Sequence, residues 1–432
     1  MRKLLLMLLP ILLLTGCAED TVEITPSSSL AVAQSADVDS APSKEKTSEH
    51  FYDEAIKKAV ESYFEKSESG LTEEDFDTLS TLHYFIIEDP VEILKDIPTV
   101  FPALNGLCVS YDKAVPAADC DILSEMKKLK AVKIYSPGLP SLEFARKLSY
   151  VDILYREEAY QSNANNLAAA SVLEKDFISG QLTGHVKNYV RIIEDEMVYE
   201  LFTTDEVLES DDEFLDPCYE SKVFISQLIN SKPVLQTTVD VVDRIGNAEG
   251  GLHVIDVDFD GNEDILVENG QFGSQGMVFY SCFLNRNGLY ESCSSFSEIP
   301  NATIDKDNKK VLGAWRNSAA SHSWAMYEYV AGNFVMTDCL TEEPAQDEEG
   351  EIEVWTYTAE KKAASGEIIE SKFYSEKEYA KEQLETLFFS EDSYWSLLSD
   401  KWNTINNSGK MVDFLIYGNA SMNGTMERII GK

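Results

Sequence analysis

The chain has 432 residues, of which 76 are acidic and 36 basic, and its formal net charge is -40 at pH 7. This balance argues against nucleic acid as a partner, because phosphate is bound through basic patches. It favours divalent cations and basic proteins, although the acidity could also serve only solubility. The length allows two or three domains, and a hydrophobic content of 44% is sufficient for sizeable cores.

The first residues have the pattern of an export signal. A basic start precedes an apolar run, Leu4 to Leu14, which is too short to span a bilayer as a helix. The run ends in Leu14-Thr15-Gly16-Cys17, which resembles the lipobox of bacterial lipoproteins. The resemblance implies that residues 1–16 are a signal peptide and that acyl chains such as palmitate are attached at Cys17. The mature chain would then be anchored, outside the cytoplasm, to the cell membrane or the outer membrane. An ordinary secretory signal or a buried apolar segment is the alternative.

The segment after the signal changes character near residue 48. Residues 17–48 are rich in Ser, Ala, Asp and Pro and contain no aromatic residue, so we expect a disordered tether. Apolar residues then recur from Tyr52 to Phe64 with the spacing of an amphipathic helix. No later apolar run is long enough to predict a transmembrane helix.

A degenerate repeat follows within residues 49–160. Segments of the type L-x-x-L-x-L begin at Leu79, Leu104, Leu129 and Leu148, at intervals of 25, 25 and 19 residues. The pattern resembles a leucine-rich repeat, in which stacked turns share one core. The resemblance implies a short α/β solenoid with a protein-recognition surface. A purely structural helix-and-strand domain is the alternative.

Strand patterns dominate residues 187–373. Short apolar and β-branched runs alternate with turns rich in Gly, Asn and Asp, which predicts an antiparallel domain of the propeller or sandwich type. Residues 374–432 open with a capping box at Ser375 and predict a C-terminal helical segment. The predicted fold class is therefore α+β.

One acidic loop lies between two of these predicted strands. Counted from Asp256, carboxylates stand at positions 1, 3, 5 and 9, and a glycine stands at position 6. Oxygen ligands at this spacing suit a hard cation, and the glycine permits the tight bend. The predicted ligands are Asp256, Asp258, Asp260, the carbonyl of Asn262, and Asp264. An Asx-rich turn with solvated acids is the alternative.

The loop differs from an EF-hand, because its predicted flanks are strands and its twelfth position is Val267. It resembles the calcium loops of FG-GAP and VCBS-type β-propellers, so the resemblance implies a structural calcium ion. With residues 269–276 and 316–322, the loop resembles exported calcium-loop propeller lipoproteins of bacteria. Some of these relatives are immunity proteins that inhibit lysozyme-like wall hydrolases.

Six cysteines remain after Cys17, and an even count in an exported chain permits disulfides. Cys282 and Cys293 flank a hairpin signal, and a two-residue turn at Asn287-Gly288 would set them opposite each other. They are the candidate disulfide, and Cys108 with Cys120 is the other local pair. No cysteine or histidine spacing indicates a zinc site.

No catalytic motif is present in the sequence. It has no H-E-x-x-H, G-x-S-x-G or phosphate-binding loop, and the adjacent Ser321 and His322 carry little weight as a catalytic pair. The predicted function is a lipid-anchored extracytoplasmic binding protein without catalysis, which carries a structural calcium loop and meets an extracellular, basic protein partner. An inhibitor or immunity protein against a cell-wall hydrolase is one alternative, and an extracellular hydrolase is another.

Overall fold

The computed structural model describes residues 51–155, 163–208, 217–242, 244, 251–272, 277–305, 309–318, 321–346, 352–375 and 413–414. The predicted signal peptide, Cys17 and the tether lie outside these residues, as does the predicted C-terminal helical segment 374–432 except for residues 374–375 and 413–414, which are in strands. The fold is α+β with strands predominating, as predicted. None of the described helices is both long and apolar enough to cross a membrane.

The described helices are short and lie mostly in the N-terminal half of the chain. They are α1 (Glu54–Phe64), α2 (Glu73–Thr81), α3 (Ile97–Val100), α4 (Ala117–Glu125), α5 (Asn163–Ala170), α6 (Lys175–Gln181) and α7 (Ser294–Ser297). Helix α1 confirms the predicted amphipathic segment, and its N-terminus is capped by the Asp53 carboxylate, which accepts hydrogen bonds from the amides of Ala55 and Ile56.

The largest sheet has eight strands in chain order. They are β1 (Tyr84–Pro90), β2 (Gly106–Ser110), β3 (Ala131–Ser136), β4 (Tyr150–Tyr155), β5 (Val186–Glu194), β6 (Met197–Val207), β7 (Tyr219–Ile229) and β8 (Lys232–Val241). Strands β1 to β4 pair in parallel, and β4 to β8 pair antiparallel. One sheet therefore runs through both of the regions that the sequence assigns to separate domains.

The strand register aligns the apolar segments of three of the four sequence repeats. Leu107 pairs with Val132, and Val132 pairs with Val151, so equivalent repeat positions lie side by side. The first repeat is displaced, because the partner of Leu107 is Phe85 rather than Leu82. Helix α2 ends at Thr81, so the apolar pattern beginning at Leu79 is shared between a helix and the strand after it.

Two smaller sheets complete the described fold. The four-stranded sheet has the order β12-β11-β10-β9, with β9 (Leu252–Ile255), β10 (Asp264–Phe272), β11 (Met277–Arg286) and β12 (Leu289–Ser292). The seven-stranded sheet has the order β18-β17-β16-β15-β14-β13-β19. Its strands are β13 (Thr303–Asp305), β14 (Lys310–Arg316), β15 (His322–Val330), β16 (Asn333–Gln346), β17 (Ile352–Lys362), β18 (Ile368–Ser375) and β19 (Asp413–Phe414).

The four-stranded sheet lies between the other two sheets. Ile265 and Val267 on one face pack into a core shared with the eight-stranded sheet. Leu266 on the opposite face packs into a core shared with the seven-stranded sheet. Burial on both faces explains the continuous apolar run of β10, because a half-exposed strand would alternate. The described sheets are open in their strand order, so a closed propeller and a repeat solenoid stay predictions.

Candidate metal centre

The acidic loop joins two paired antiparallel strands. Strand β9 ends at Ile255 and β10 begins at Asp264, and these two residues are partners in the ladder. The predicted β flanks are therefore confirmed. The chain reverses within the loop through two residues of positive φ, Phe259 at 61° and Gly261 at 94°. A glycine at the second position meets this requirement at no steric cost.

The loop brings three of the predicted ligands together. Asp256, Asp258 and Asp260 each offer a carboxylate oxygen, and these oxygens lie within 4.8 Å of one another. Backbone amides hold the carboxylates in place, because Asp256 accepts from the amides of Asp260 and Gly261 at 3.1 and 2.9 Å. The cluster is graded in exposure, with Asp258 buried and Asp260 exposed.

Two predicted ligands contact other groups of the loop and its neighbouring strand. The amide and side-chain nitrogens of Asn262 both donate to Asp260 Oδ1, at 2.8 and 2.9 Å. Asp264 is fully buried, and its two oxygens accept from the amides of Val257 and Asn285 at 2.9 and 2.8 Å. Asp264 thus ties the loop to β11, and it lies outside the three-carboxylate cluster.

Burial and mutual repulsion raise the pKa of two of these acids. The pKa of Asp264 rises to about 7, first because the carboxyl is buried and then because Asp258 and Asp256 are close. The pKa of Asp256 is also raised, again mainly by burial, with Asp258 adding repulsion against the stabilising backbone amides. Gathering these carboxylates costs free energy because their negative charges repel, and a bound cation would reduce that repulsion.

Arg286, which is not among the ligands predicted from the sequence, contacts the cluster. Arg286 Nη1 lies 2.6 Å from Asp258 Oδ2 and 2.9 Å from Asp260 Oδ2. Its Nη2 donates to the Tyr329 hydroxyl at 2.5 Å, so the guanidinium links the loop to β15. The predicted Asn287-Gly288 turn could have indicated this contact. A strand that ends at this turn and pairs with β10 places Arg286 beyond Asp264, beside the loop.

The residues of the loop fit a calcium ion. Calcium oxygens lie about 2.3–2.6 Å from the ion, so two ligand oxygens of one ion are at most about 5 Å apart. The 4.8 Å limit on the three carboxylates satisfies this condition. A half-buried guanidinium already stands against two of them, so an ion would compete with Arg286 for Asp258 and Asp260.

The cysteines fall as the hairpin signal predicts. Cys282 and Cys293 lie just beyond the β11–β12 ladder, where the Cys293 amide donates to the Cys282 carbonyl at 2.8 Å, and both are free thiols in the structure. Cys108 and Cys120 are separated by the sheet, because Cys120 lies in the core under the helices and Cys108 alternates with Leu107 and Val109 of that core.

His322 and Ser321 engage different partners. The Nδ1 atom of His322 lies 3.1 Å from Glu342 Oε2, and the second oxygen of Glu342 accepts from the Tyr357 hydroxyl at 3.1 Å. The Ser321 hydroxyl accepts from the Asn317 amide at 3.2 Å. Their adjacency in sequence therefore does not make a hydrogen-bonded pair of nucleophile and base.

Comparisons with known proteins identify no family for this chain. A scan against protein-family models and a search of curated proteins both return no match. Among solved structures, the chain is similar to a Xanthomonas Type IV secretion system related protein, with a TM-score of 0.29 and 15% identity. The similarity covers 43% of this chain and 93% of that one. A TM-score this low does not define the fold.

Proposed function

We propose that the chain is a lipid-anchored extracytoplasmic binding protein whose β-rich body is stabilised by a calcium ion in the acidic loop. The observation that carries the cation is the convergence of Asp256, Asp258 and Asp260 within 4.8 Å. Asn262, through its carbonyl, and Asp264, after a small rotation, are proposed to complete the ligand set. Calcium suits this set because all the donors are oxygens.

The charge balance around the loop supports the ion. Asp256, Asp258 and Asp260 lie together, and the charges of Asp258 and Asp256 also act on Asp264. Arg286 supplies positive charge to Asp258 and Asp260 alone. A divalent cation would relieve the remaining repulsion, which contributes to the raised pKa values of Asp256 and Asp264. Because the loop joins β9 to β10 in the central sheet, its cation would stabilise the packing of that sheet and would perform no chemistry.

Thermal unfolding with calcium and with a chelator tests this role. At a calcium concentration a hundredfold above the Kd, binding should raise the free energy of unfolding by about 2.7 kcal/mol. The double variant Asp258→Asn, Asp260→Asn should lose this response. Asp240→Asn is the matched control, because Asp240 is 70% exposed and pairs with Lys222 within the eight-stranded sheet, to which the loop does not belong. An equal calcium response in the double variant would exclude the loop as the site.

The proposed anchor depends on the lipobox-like ending at Cys17. Two or three acyl chains would hold the chain firmly at a membrane, whereas one chain binds only marginally. Metabolic labelling with a palmitate analogue should mark the wild-type chain and leave Cys17→Ser unlabelled. Label retained in Cys17→Ser would move the modification elsewhere, and an unlabelled wild type would remove the anchor from the proposal.

The proposed binding surface lies in the repeat-like region and in the acidic exterior. The side-by-side register of Leu107, Val132 and Val151 supports a short leucine-rich-repeat-like stack, and the open sheets around the loop are compatible with a propeller-like or sandwich-like arrangement. A net charge of -40 favours a basic protein partner by electrostatic steering. Such binding should weaken steeply with salt.

The same charge favours a second function, inhibition of a basic cell-wall hydrolase. The experiment is an inhibition assay of a basic lysozyme-like enzyme against isolated cell walls, at low and high salt. Salt-sensitive inhibition at equimolar protein would support this function. Full enzyme activity at low salt, with intact calcium binding, would leave the general binding function as the better proposal.

A further inference from the structure

The hairpin beside the acidic loop holds two thiols in direct opposition. The ladder between β11 and β12 ends at Phe283 and Ser292, and Cys282 and Cys293 are the next residue on each side. The amide of Cys293 donates to the Cys282 carbonyl at 2.8 Å, while the Cys282 amide donates to the Ser297 hydroxyl at 3.3 Å. The two thiols are hydrogen-bonded to each other, and opposed strand residues have Cα atoms about 4.5–5.5 Å apart, within the range that a disulfide spans.

The two thiols differ in acidity. The pKa of Cys293 falls to about 6, mainly because the Cys282 thiol hydrogen-bonds to it. Burial opposes this shift, whereas the Ser295 hydroxyl, 3.4 Å away, and the charge of Arg286 also favour the thiolate. Burial raises the pKa of Cys282, which therefore keeps its proton at neutral pH. Cys293 is thus the nucleophile of the pair.

The hairpin also offers a route to the buried sulfurs. Strand β12 has four residues and forms an edge of its sheet, and Leu289 at its start is 68% exposed. Short edge strands open locally at low free-energy cost, so local opening of β12 would expose Cys293, which is 5% exposed in the closed hairpin. Cys282 lies on β11, which has paired neighbours on both sides, and it stays covered.

We propose that Cys282 and Cys293 form a reversible cross-strand disulfide. The Cys293 thiolate attacks a sulfur of a disulfide oxidant such as glutathione disulfide, which forms a mixed disulfide and releases one glutathione thiolate. Cys282 then attacks Cys293 Sγ, which releases the second thiolate and passes its own proton to solvent. The protein loses two hydrogens, and the oxidant becomes two glutathione thiols. The step needs neither calcium nor the lipid anchor.

Peptide mapping of the complete chain, equilibrated in glutathione buffers of increasing oxidation and then alkylated, tests the proposal. The expected result is loss of two alkylation adducts with one crosslinked species, which joins Cys282 to Cys293. Alkylation of both residues at every glutathione ratio, or a crosslink to Cys218 or Cys339 instead, would overturn the proposal.

Amide hydrogen exchange gives a readout that does not depend on a variant folding. Oxidation of the wild-type chain should slow exchange in β11 and β12 on the order of a hundredfold. The disulfide would close the segment between Cys282 and Cys293 into a loop and so disfavour the open hairpin. Cys293→Ser should show no oxidation-dependent slowing, and Cys339→Ser, a buried thiol in the seven-stranded sheet, should behave as wild type. Equal slowing in Cys293→Ser would contradict the assigned pair.

Discussion

Two regions of the protein bury charge in opposite ways. In the eight-stranded sheet, Lys133 Nζ lies 3.7 Å from Asp152 Oδ2, and both side chains are at most 2% exposed. The side-chain amide of Asn188 bridges two of the charges, because its nitrogen donates to Asp152 and its oxygen accepts from Arg244. Arg244 also interacts electrostatically with Glu268. Two cations therefore meet two anions. In the acidic loop, four aspartates stand within nine residues, and the guanidinium of Arg286 contacts two of them, Asp258 and Asp260.

The difference accords with the proposal that the first region is structural and the acidic loop binds a cation. A balanced internal network satisfies itself, so it specifies packing and needs no ligand. An unbalanced cluster near the surface keeps excess negative charge, and a cation from solution can reduce the repulsion between its carboxylates. Breaking the balanced network should therefore cost more stability than breaking the loop, and only the loop should respond to calcium.

The largest effect is expected from Asp152→Ala. It leaves Lys133 buried beside the gap, so the free energy of unfolding should fall by about 3–5 kcal/mol in denaturant titration. The control is Asp89→Ala, which breaks an exposed pair with Lys58 and should cost at most about 1 kcal/mol. If the two variants cost the same, the network does not contribute as a buried ion pair.

A pH effect of intermediate size is expected from Glu200. Its carboxyl is buried and accepts from the Tyr189 hydroxyl at 2.6 Å, and burial raises its pKa. The native state then binds more protons than the unfolded state, so stability falls as pH rises from the unfolded pKa to the folded one, by up to about 1.4 kcal/mol per pH unit.

Glu200→Gln keeps the hydrogen bond to Tyr189 and should flatten this pH dependence, measured as unfolding free energy across the acidic range. Glu143→Gln removes a carboxylate that is 67% exposed and should leave the wild-type slope intact. An unchanged slope in Glu200→Gln would assign the pH dependence to another group.

The smallest effect is expected from Arg286→Gln. Removing the guanidinium takes away the competitor for Asp258 and Asp260, so calcium should bind about tenfold more tightly in titration calorimetry. Arg286→Lys keeps the positive charge and should stay near the wild-type affinity. Weaker calcium binding in Arg286→Gln would mean that Arg286 supports the site instead of competing for it.

Most of the strands could be predicted because their patterns are local. The β11–β12 hairpin follows from Asn287-Gly288, which adopt positive φ angles of 58° and 88° as a two-residue turn requires. The first repeat was misplaced by three residues, because Leu79 and Leu82 match the repeat spacing although Leu79 belongs to a helix and Leu82 caps its end. A local pattern does not distinguish these two settings.

The site could be predicted only in part. The spacing of Asp256, Asp258 and Asp260 suffices to bring them together, because the loop is closed by its own backbone amides. The role of Asp264 depends on Asn285 and that of Arg286 on Tyr329, and both are contacts between distant segments. Such contacts are set by strand register and sheet packing, which single-sequence patterns do not encode.

The most direct measurement is the calcium stoichiometry of the purified chain, by equilibrium dialysis at neutral pH. We expect one calcium ion per wild-type chain, one in Asp240→Asn, and none in Asp258→Asn, Asp260→Asn. A wild-type chain that binds no calcium at millimolar concentration, or a double variant that binds as much as wild type, would contradict the account of the acidic loop as a cation site.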